Sequence, residues 1–347
     1  MIRKIQFLFL SCLFLFNFCN AQDLHFSQFH NSPVLTNPAH TGVFMGDVRF
    51  ASNYRKQWST ISGFSTDYTT MAASLDGSFF KRKSKKGSFA GFGGYFLKDQ
   101  AGDSKFGTNS FNGTASLIKS LSPDQDQFLS LAFAGGFNQR SVSTGGLTWD
   151  NQWSGDHLDT SIPGEDVSKP NFSFLDFSVG AMYFYTGDPF RKYHFGMGIF
   201  HLNKPNIGFD GRDGLKRKIM FHGGGTFANS RDNKVLQPSF IVSKQGRHLD
   251  ITGGTYFRYV MHEGSVRTGY ANEMAVSFGV WYRVADAVIA AIKYEYQNFN
   301  IGISYDITLS GLSPVNSLLG GPEITLIYSS KPVKVRKAGH YKNVRYL

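Results

Sequence analysis

The feature that most constrains this chain is a strict alternation of residue types over residues 298–310. Apolar or aromatic side chains occupy every second position from Phe299 to Leu309, and polar or small side chains occupy the positions between them, from Asn298 to Ser310. A period of two places the two sets on opposite faces of a β-strand. A soluble strand is usually only about 5–6 residues long, whereas a membrane-spanning strand needs about 10 residues with one face toward lipid. The thirteen-residue run therefore favours a transmembrane barrel over a soluble sandwich.

The same alternation recurs along most of the chain, for example at residues 129–138, 175–185 and 288–296. The positions predicted to face inward are often Gly, Ala or Ser, which leaves room for lumen contents or for a plug. Segments of this kind have centres near residues 50, 70, 92, 112, 133, 180, 198, 222, 238, 255, 278, 290, 304 and 326. They predict an all-β fold, a transmembrane outer-membrane β-barrel of about fourteen antiparallel strands over residues 44–330.

The lengths of the links between these segments agree with a barrel. In bacterial barrels both ends of the chain normally face the periplasm, so the links after odd-numbered strands face outward and are the longer ones. The longest predicted link, residues 141–171, follows the fifth strand, and residues 203–216 follow the seventh. The link at residues 261–272 is long although it follows an even-numbered strand, which leaves open a count that differs by two there.

Residues 1–21 have the organisation of a secretory signal peptide. Arg3 and Lys4 precede an apolar run, and Cys19 and Ala21 supply small residues at positions −3 and −1 of a cleavage site after Ala21. A membrane anchor is the alternative, but the run is shorter than the ~20 residues of a transmembrane helix. We therefore expect an exported chain that is integral to the outer membrane after cleavage.

Composition and motifs argue against most other classes. With 34 Phe, 16 Tyr and only 18% charged residues, the chain is neither disordered nor collagen-like. Both cysteines lie in the predicted signal peptide, so the mature chain offers no disulfide and no thiol ligand. The ten His show no short ligand spacing such as H-E-x-x-H, and the S-x-x-K spacing at Ser116 lacks its partner motifs. We expect no enzyme activity, no cofactor and no metal site; Lys293, Glu295 and Asp306 are candidates for a charge network in the lumen.

The chain carries a net charge of +11, and two segments contain much of it. Residues 81–86 form a basic cluster, and residues 331–347 form a basic tail that includes Lys334, Arg336 and Lys337 and contains no acidic residue. Such segments can dock electrostatically to a periplasmic partner or to anionic headgroups. The alternative is a solvated turn and a flexible end. Nucleic acid is not an expected partner of an exported membrane protein.

Several short motifs occur in an order that resembles one family. They are QDLHFSQF from Gln22, NPAHTG from Asn37, NYRKQW from Asn53, YR at Tyr282, GISYDI from Gly302 and GGPEI from Gly320. Together they resemble the PorP/SprF family, outer-membrane proteins associated with the type IX secretion system and gliding motility of Bacteroidetes. The resemblance covers residues 22–328.

The resemblance implies a function and a secreted surface protein as partner. Family members are accessory factors that help secrete, or retain on the surface, a large protein with a type IX carboxyl-terminal targeting domain, or that tie the secretion apparatus to the envelope. A separate hypothesis, suggested by the basic segments, is a structural anchor that binds a periplasmic secretion-ring or peptidoglycan-binding protein. No catalytic residue comes with the family. Residues 37–39 also resemble the hatch of fatty-acid-channel (FadL-like) barrels, so residues 22–43 are expected to form an N-terminal plug or, alternatively, a periplasmic leader. A passive outer-membrane channel for hydrophobic or small polar solutes is the alternative function.

Four further side chains are candidate contacts with a partner. Trp149 and Trp153 lie in the long link that is predicted to face outward. Arg55 and Trp58 lie near the end of the first predicted strand, where Trp favours the membrane interface. We expect a structural role for these two residues first and a partner contact at the rim second.

Overall fold

The computed structural model describes residues 23–57, 68–81, 87–102, 104–145, 147–155, 157–164, 170–188, 190–209, 213–229, 233–262, 274–310 and 318–330. The predicted signal peptide, Trp58, residues 82–86 of the basic cluster and the basic tail with Lys334, Arg336 and Lys337 lie outside these ranges. Within the described ranges, no helix has the length and apolarity needed to cross a membrane.

Fourteen antiparallel strands of the described chain close into one barrel. They are β1 (Val48–Gln57), β2 (Tyr68–Phe79), β3 (Phe89–Ala101), β4 (Phe106–Ser120), β5 (Gln127–Ser141), β6 (Asn171–Tyr185), β7 (Arg191–Phe200), β8 (Lys218–Ala228), β9 (Lys234–Gln245), β10 (His248–His262), β11 (Met274–Arg283), β12 (Ala287–Tyr296), β13 (Phe299–Thr308) and β14 (Leu319–Ser329). Each strand pairs with the next along the chain, and β1 closes the barrel on β14, with Arg49 opposite Ser329 and Arg55 opposite Glu323. Closure leaves no strand edge unpaired in lipid. The predicted all-β fold and strand count are confirmed.

The two faces of each strand follow the alternation in the sequence. On β13, the exposed fractions of Ile301 and Ile303 are 44% and 55%, whereas those of Ser304 and Asp306 are 2% and 3%. The apolar set therefore faces outward and the polar set faces the lumen, as predicted. Exposed aromatic side chains also gather near one end of the strands; they include Tyr193, Tyr259, Tyr294, Tyr296 and Phe299. Aromatic girdles of this kind mark the membrane interfaces of barrels.

We call the two ends of the barrel the upper and the lower mouth. The upper mouth carries the links that follow odd-numbered strands, including residues 142–170 and 201–217. The lower mouth carries the links that follow even-numbered strands, together with the start of β1 and the end of β14. The aromatic girdle described above lies near the lower mouth.

Residues 23–47, called the plug from here on, lie inside the barrel and contain three short helical turns, Phe29–Asn31, Pro33–Thr36 and Pro38–His40. The plug starts at the upper mouth, where the N–H group of Asp23 donates to Gln245 at the end of β9, 2.9 Å away. Midway, the side-chain amide of Asn37 donates to two carbonyl groups of β6 and β7. At the lower mouth, Lys81 donates to the carbonyl oxygen of Phe44 at 3.0 Å. The plug therefore passes through the lumen from mouth to mouth before β1 begins.

The placement of the outward face in the bilayer generates a prediction. Replacing Ile303, midway along β13, by Lys should lower the free energy of unfolding by about 2–4 kcal/mol, because the charge would lie at the depth of the hydrocarbon midplane. The matched variant Leu309→Lys, just beyond the upper end of β13, should lower it by only about 0–1 kcal/mol. Urea unfolding of the protein folded into lipid vesicles measures both values, and equal losses would contradict this placement.

Candidate functional site: the plugged lumen and the upper mouth

Glycines on the inner wall make the space that the plug occupies. A Cβ atom at Gly91 would collide with the carbonyl oxygen of Thr41, and one at Gly302 would collide with the side chain of Gln28. The plug contributes Gly42, whose φ of +74° lies in the left-handed region and whose own Cβ would lie 2.7 Å from the Cα of Gly91. Plug backbone and barrel wall therefore approach each other at positions where no side chain fits.

Glu323 on β14 holds the upper part of the plug by its backbone. Its carboxylate accepts the N–H of Ser27 at 2.7 Å and the N–H of Gln28 at 3.1 Å, and its carbonyl oxygen accepts the side-chain amide of Gln28 at 3.0 Å. All three residues are fully buried. Hydrogen bonds that involve a carboxylate are stronger than neutral ones, so this strand and the plug are tightly joined.

Two arginines surround Asp306 beside that contact. Arg55 on β1 donates to the Asp306 carboxylate at 2.8 Å, and Arg283 on β11 donates to it at 3.1 Å. The hydroxyl of Ser27 donates to the same oxygen at 2.8 Å and accepts from Arg283 at 3.0 Å. Arg55 also donates to the carbonyl oxygen of His25. The three charged side chains are at least 96% buried, so each depends on the others to offset its lost hydration.

The Arg55 side chain therefore faces the lumen and is held by the plug. Its exposed fraction is 2%, so Arg55 has a structural role and is not accessible at the rim.

The charge network expected from Lys293, Glu295 and Asp306 is divided in two. Lys293 lies 3.1 Å from Glu295, which also pairs with Arg258 at 2.7 Å, whereas Asp306 belongs to the arginine pair near the plug.

A second ionic contact fixes the first described residue of the plug. The imidazole of His201, in the link after β7, lies 2.6 Å from the Asp23 carboxylate and 2.8 Å from that of Asp176. Lys218 lies 3.8 Å from Asp23. Burial by itself lowers the pKa of His201, but the two carboxylates more than offset it and raise this pKa to about 9. His201 is therefore protonated near neutral pH and carries a charge that holds Asp23 at the upper mouth.

Three histidines meet lower in the lumen. His40 of the plug faces His194 on β7 and His222 on β8, with ring centroids 5.8 Å and 5.0 Å from that of His40. One ligand nitrogen from each ring lies within 4.8 Å of the others. The side-chain amide of Asn37 lies 2.9 Å from Nε2 of His222. Imidazole nitrogens are common ligands of divalent transition metals.

The link after β7 folds over the upper mouth. Ile207 in this link is buried, and its carbonyl oxygen accepts a hydrogen bond from Arg140 of β5 at 3.4 Å. The Arg140 guanidinium lies over the ring of Phe106 at 4.7 Å, and that ring contacts Phe209 of the link. The link thus covers part of the lumen above the plug.

The longest described link at the upper mouth, between β5 and β6, forms a small internally bonded unit that we call the knob (residues 147–164). Two short strands, Trp153–Ser154 and His157–Leu158, pair in it as a hairpin. The side chain of Gln152 donates to the carbonyl oxygen of Ile162 at 2.8 Å. Trp149 is half-buried against Gly164, whereas Trp153 has an exposed fraction of 54%. Of the predicted contact residues that the structure describes, these two lie together in the knob at the upper mouth.

A comparison with known families decides the assignment of the chain. The model of the type IX secretion system membrane protein PorP/SprF matches residues 18–328. This chain belongs to the PorP/SprF family. The resemblance drawn from the short motifs is therefore confirmed, and the barrel of this PorP/SprF protein is an outer-membrane component of the type IX secretion system.

Solved structures share the fold of this PorP/SprF protein at very low sequence identity. The toluene transporter TbuX of Ralstonia pickettii matches with a TM-score of 0.50 and 9% identity, over 87% of this chain and 93% of that one. The toluene transporter TodX of P. putida matches with a TM-score of 0.48 and 8% identity, over 87% of this chain and 94% of that one. The TbuX match supports a FadL-like barrel and nothing more specific. No curated protein sequence gives a significant match.

The arginine pair generates a second prediction. The Arg55→Met variant keeps the volume of the side chain and leaves Asp306 with one fewer cationic partner. Removing one member of a buried ion network should lower the free energy of unfolding by about 3–5 kcal/mol, and it should expose the upper part of the plug to protease. Urea unfolding and limited proteolysis of the folded barrel measure these effects. The exposed residue Lys119 supplies the control, since Lys119→Met should leave both unchanged; equal behaviour of the two variants would refute the structural role of Arg55.

Proposed function

We propose that this PorP/SprF protein is a non-enzymatic docking factor of the type IX secretion system. Its upper mouth holds a large surface protein that bears a type IX carboxyl-terminal targeting domain, and this contact helps to secrete or retain that protein. The observation that carries the proposal is the combination of a lumen filled by the plug with an aromatic knob exposed beside its mouth.

The filled lumen favours docking over conduction. The plug contacts the wall at both mouths and midway between them, and His201 of the link after β7 contacts Asp23 at its upper end. A passive channel would need these contacts to open, including the buried contacts to Glu323. The two mouths of the barrel, rather than its interior, are therefore the places where a large partner can bind.

The knob is the surface best suited to such a partner. It belongs to the longest described link, and long links of bacterial barrels face outward. Trp side chains supply much of the binding energy in protein interfaces because they bury a large area. Trp153 is exposed and Trp149 is half-buried in the same folded unit, so this unit can present aromatic surface to a pocket of the targeting domain.

The lower mouth offers a different surface for a periplasmic partner. β14 ends at this mouth, so the last described residue before the basic tail lies there, and Lys81 places the start of the basic cluster in a link of the same mouth. We propose that both basic segments face the periplasm and dock an acidic surface of a secretion-ring or peptidoglycan-binding protein. Opposite mouths would then serve the two partners.

The knob generates the test of surface docking. Replacing Trp149 and Trp153 together by Ala should reduce retention of the surface protein at least about tenfold, since hot-spot truncations of this kind cost about 2 kcal/mol or more each. Copurification from crosslinked outer membranes measures retention. The matched control is Phe80→Ala, an aromatic residue with 65% exposure at the lower mouth, which should retain the partner fully.

Conductance separates the two functions. Unchanged retention in the double Trp variant, together with measurable single-channel current through the purified wild-type barrel in planar bilayers, would replace the docking proposal with the channel. A silent barrel that loses its partner only in the double Trp variant is the expected result.

The basic tail generates an independent test of the periplasmic contact. Reversing the charge of Lys334, Arg336 and Lys337 to Glu should release the periplasmic partner, and raising the salt concentration should weaken the wild-type contact, because exposed ionic contacts are screened. The same variant should keep the surface protein bound. Copurification of both partners from one sample measures the two effects, and an unchanged periplasmic partner would refute the role of the tail.

A further inference from the structure

The histidine cluster combines one plug residue with two residues of the barrel wall. His40 follows directly on Pro38 and Ala39 of the last helical turn of the plug, and His194 and His222 belong to the neighbouring strands β7 and β8. His40 and His222 are each 3% exposed, and His194 is half-buried. All three side chains are of a type that can bind a metal ion, and one ring nitrogen from each lies within 4.8 Å of the other two.

The surroundings show why these side chains are held together. The Nδ1 atom of His40 is buried and has no hydrogen-bond partner. Gly196, next to the cluster on β7, has no side chain, and a Cβ atom there would collide with the ring of His222. The amide of Asn37 lies against Nε2 of His222 and donates to the carbonyl oxygens of Ala181 and Met197, so it fixes the ring beside the wall. His40 therefore offers a buried imidazole nitrogen without a hydrogen-bond partner, and its ring lies beside two further imidazole rings.

The donor set selects one class of ligand. Three neutral imidazoles with no carboxylate suit zinc and its neighbours, whereas Ca²⁺ and Mg²⁺ require oxygen ligands. A tetrahedral zinc ion has Zn–N distances of about 2.0–2.1 Å, which places its ligand nitrogens roughly 3.3 Å apart. The ligand atoms of the present cluster all lie within 4.8 Å of one another, so the rings would have to approach each other further when an ion binds. A water molecule or an anion completes the fourth position.

We propose that His40, His194 and His222 bind one divalent transition-metal ion of the zinc class, which latches the plug to β7 and β8. The ion replaces a set of weak ring contacts by three coordinate bonds that join the plug to the wall. Because the cluster lies between Asn37 and the lower mouth, the latch holds the lower half of the plug, whereas Glu323 and Asp306 hold its upper half. The latch is independent of the docking function.

The test uses the full mature chain folded in detergent, with a tag that contains no histidine and with metal removed by chelation. Titration with ZnCl2, followed by calorimetry, should show one ion per chain. CoCl2 should give the visible absorption of nitrogen-ligated tetrahedral Co²⁺, and added zinc should abolish it. Zinc should also raise the unfolding temperature and slow protease cleavage of the plug.

Single substitutions test which histidines bind the zinc ion. His40→Gln and His194→Gln should each weaken zinc binding at least about tenfold, as the loss of even an outer-shell partner costs about 10–100-fold, and should remove the zinc-dependent rise in unfolding temperature. The matched control is His30→Gln, a plug histidine that packs on Tyr256 and Trp281 outside the cluster, which should keep zinc affinity unchanged.

Two results would overturn the proposal. One is a folded wild-type barrel that gives no cobalt spectrum and no zinc-dependent change in unfolding temperature. The other is zinc binding that persists unchanged in His194→Gln, a variant at a half-buried wall position that leaves the plug sequence intact and whose folding is verified by its heat-dependent migration on gels.

Discussion

The structure depends on one constraint: charged and polar groups that the barrel wall turns toward the buried interior need partners, and the plug supplies several of them. Glu323 accepts two consecutive N–H groups of the plug, and Asp306 is shared between a plug hydroxyl and two arginines of the wall. Without the plug these buried groups would lack part of their hydrogen bonding, which costs free energy. Plug and wall are therefore a single folded unit.

Because the plug occupies the interior, the two mouths are the surfaces available to partners. The upper mouth carries the long links, the knob with its exposed Trp153, and the ionic contact of His201 with Asp23. The lower mouth carries Lys81, the start of β1 and the end of β14. In the proposed function the knob at the upper mouth and the basic segments at the lower mouth bind different partners, a division that fits an accessory component better than a pore.

Local pattern predicted the barrel because lipid and lumen impose a period of two on each strand separately, so thirteen residues around Ile303 suffice to recognise it. The small inner residues also pointed to room for a plug. The contacts of the site could not be predicted in this way. Ser27 and Glu323 are 296 positions apart, and the three histidines come from residues 40, 194 and 222, so no short spacing reveals them. Arg55 is an example: its position near the end of a strand does not reveal that its side chain contacts Asp306 and the plug.

The direction of the plug has a consequence for how the molecule is made. Asp23 lies at the upper mouth, whereas the same chain enters β1 at the lower mouth, so the polypeptide passes once through a ring that its own first and last strands close. During assembly, either β1 and β14 pair around a plug that is already in position, or a free end of the chain passes through a barrel that has already closed. In the first case, the plug is already in place when β1 pairs with β14, and the barrel closes around it.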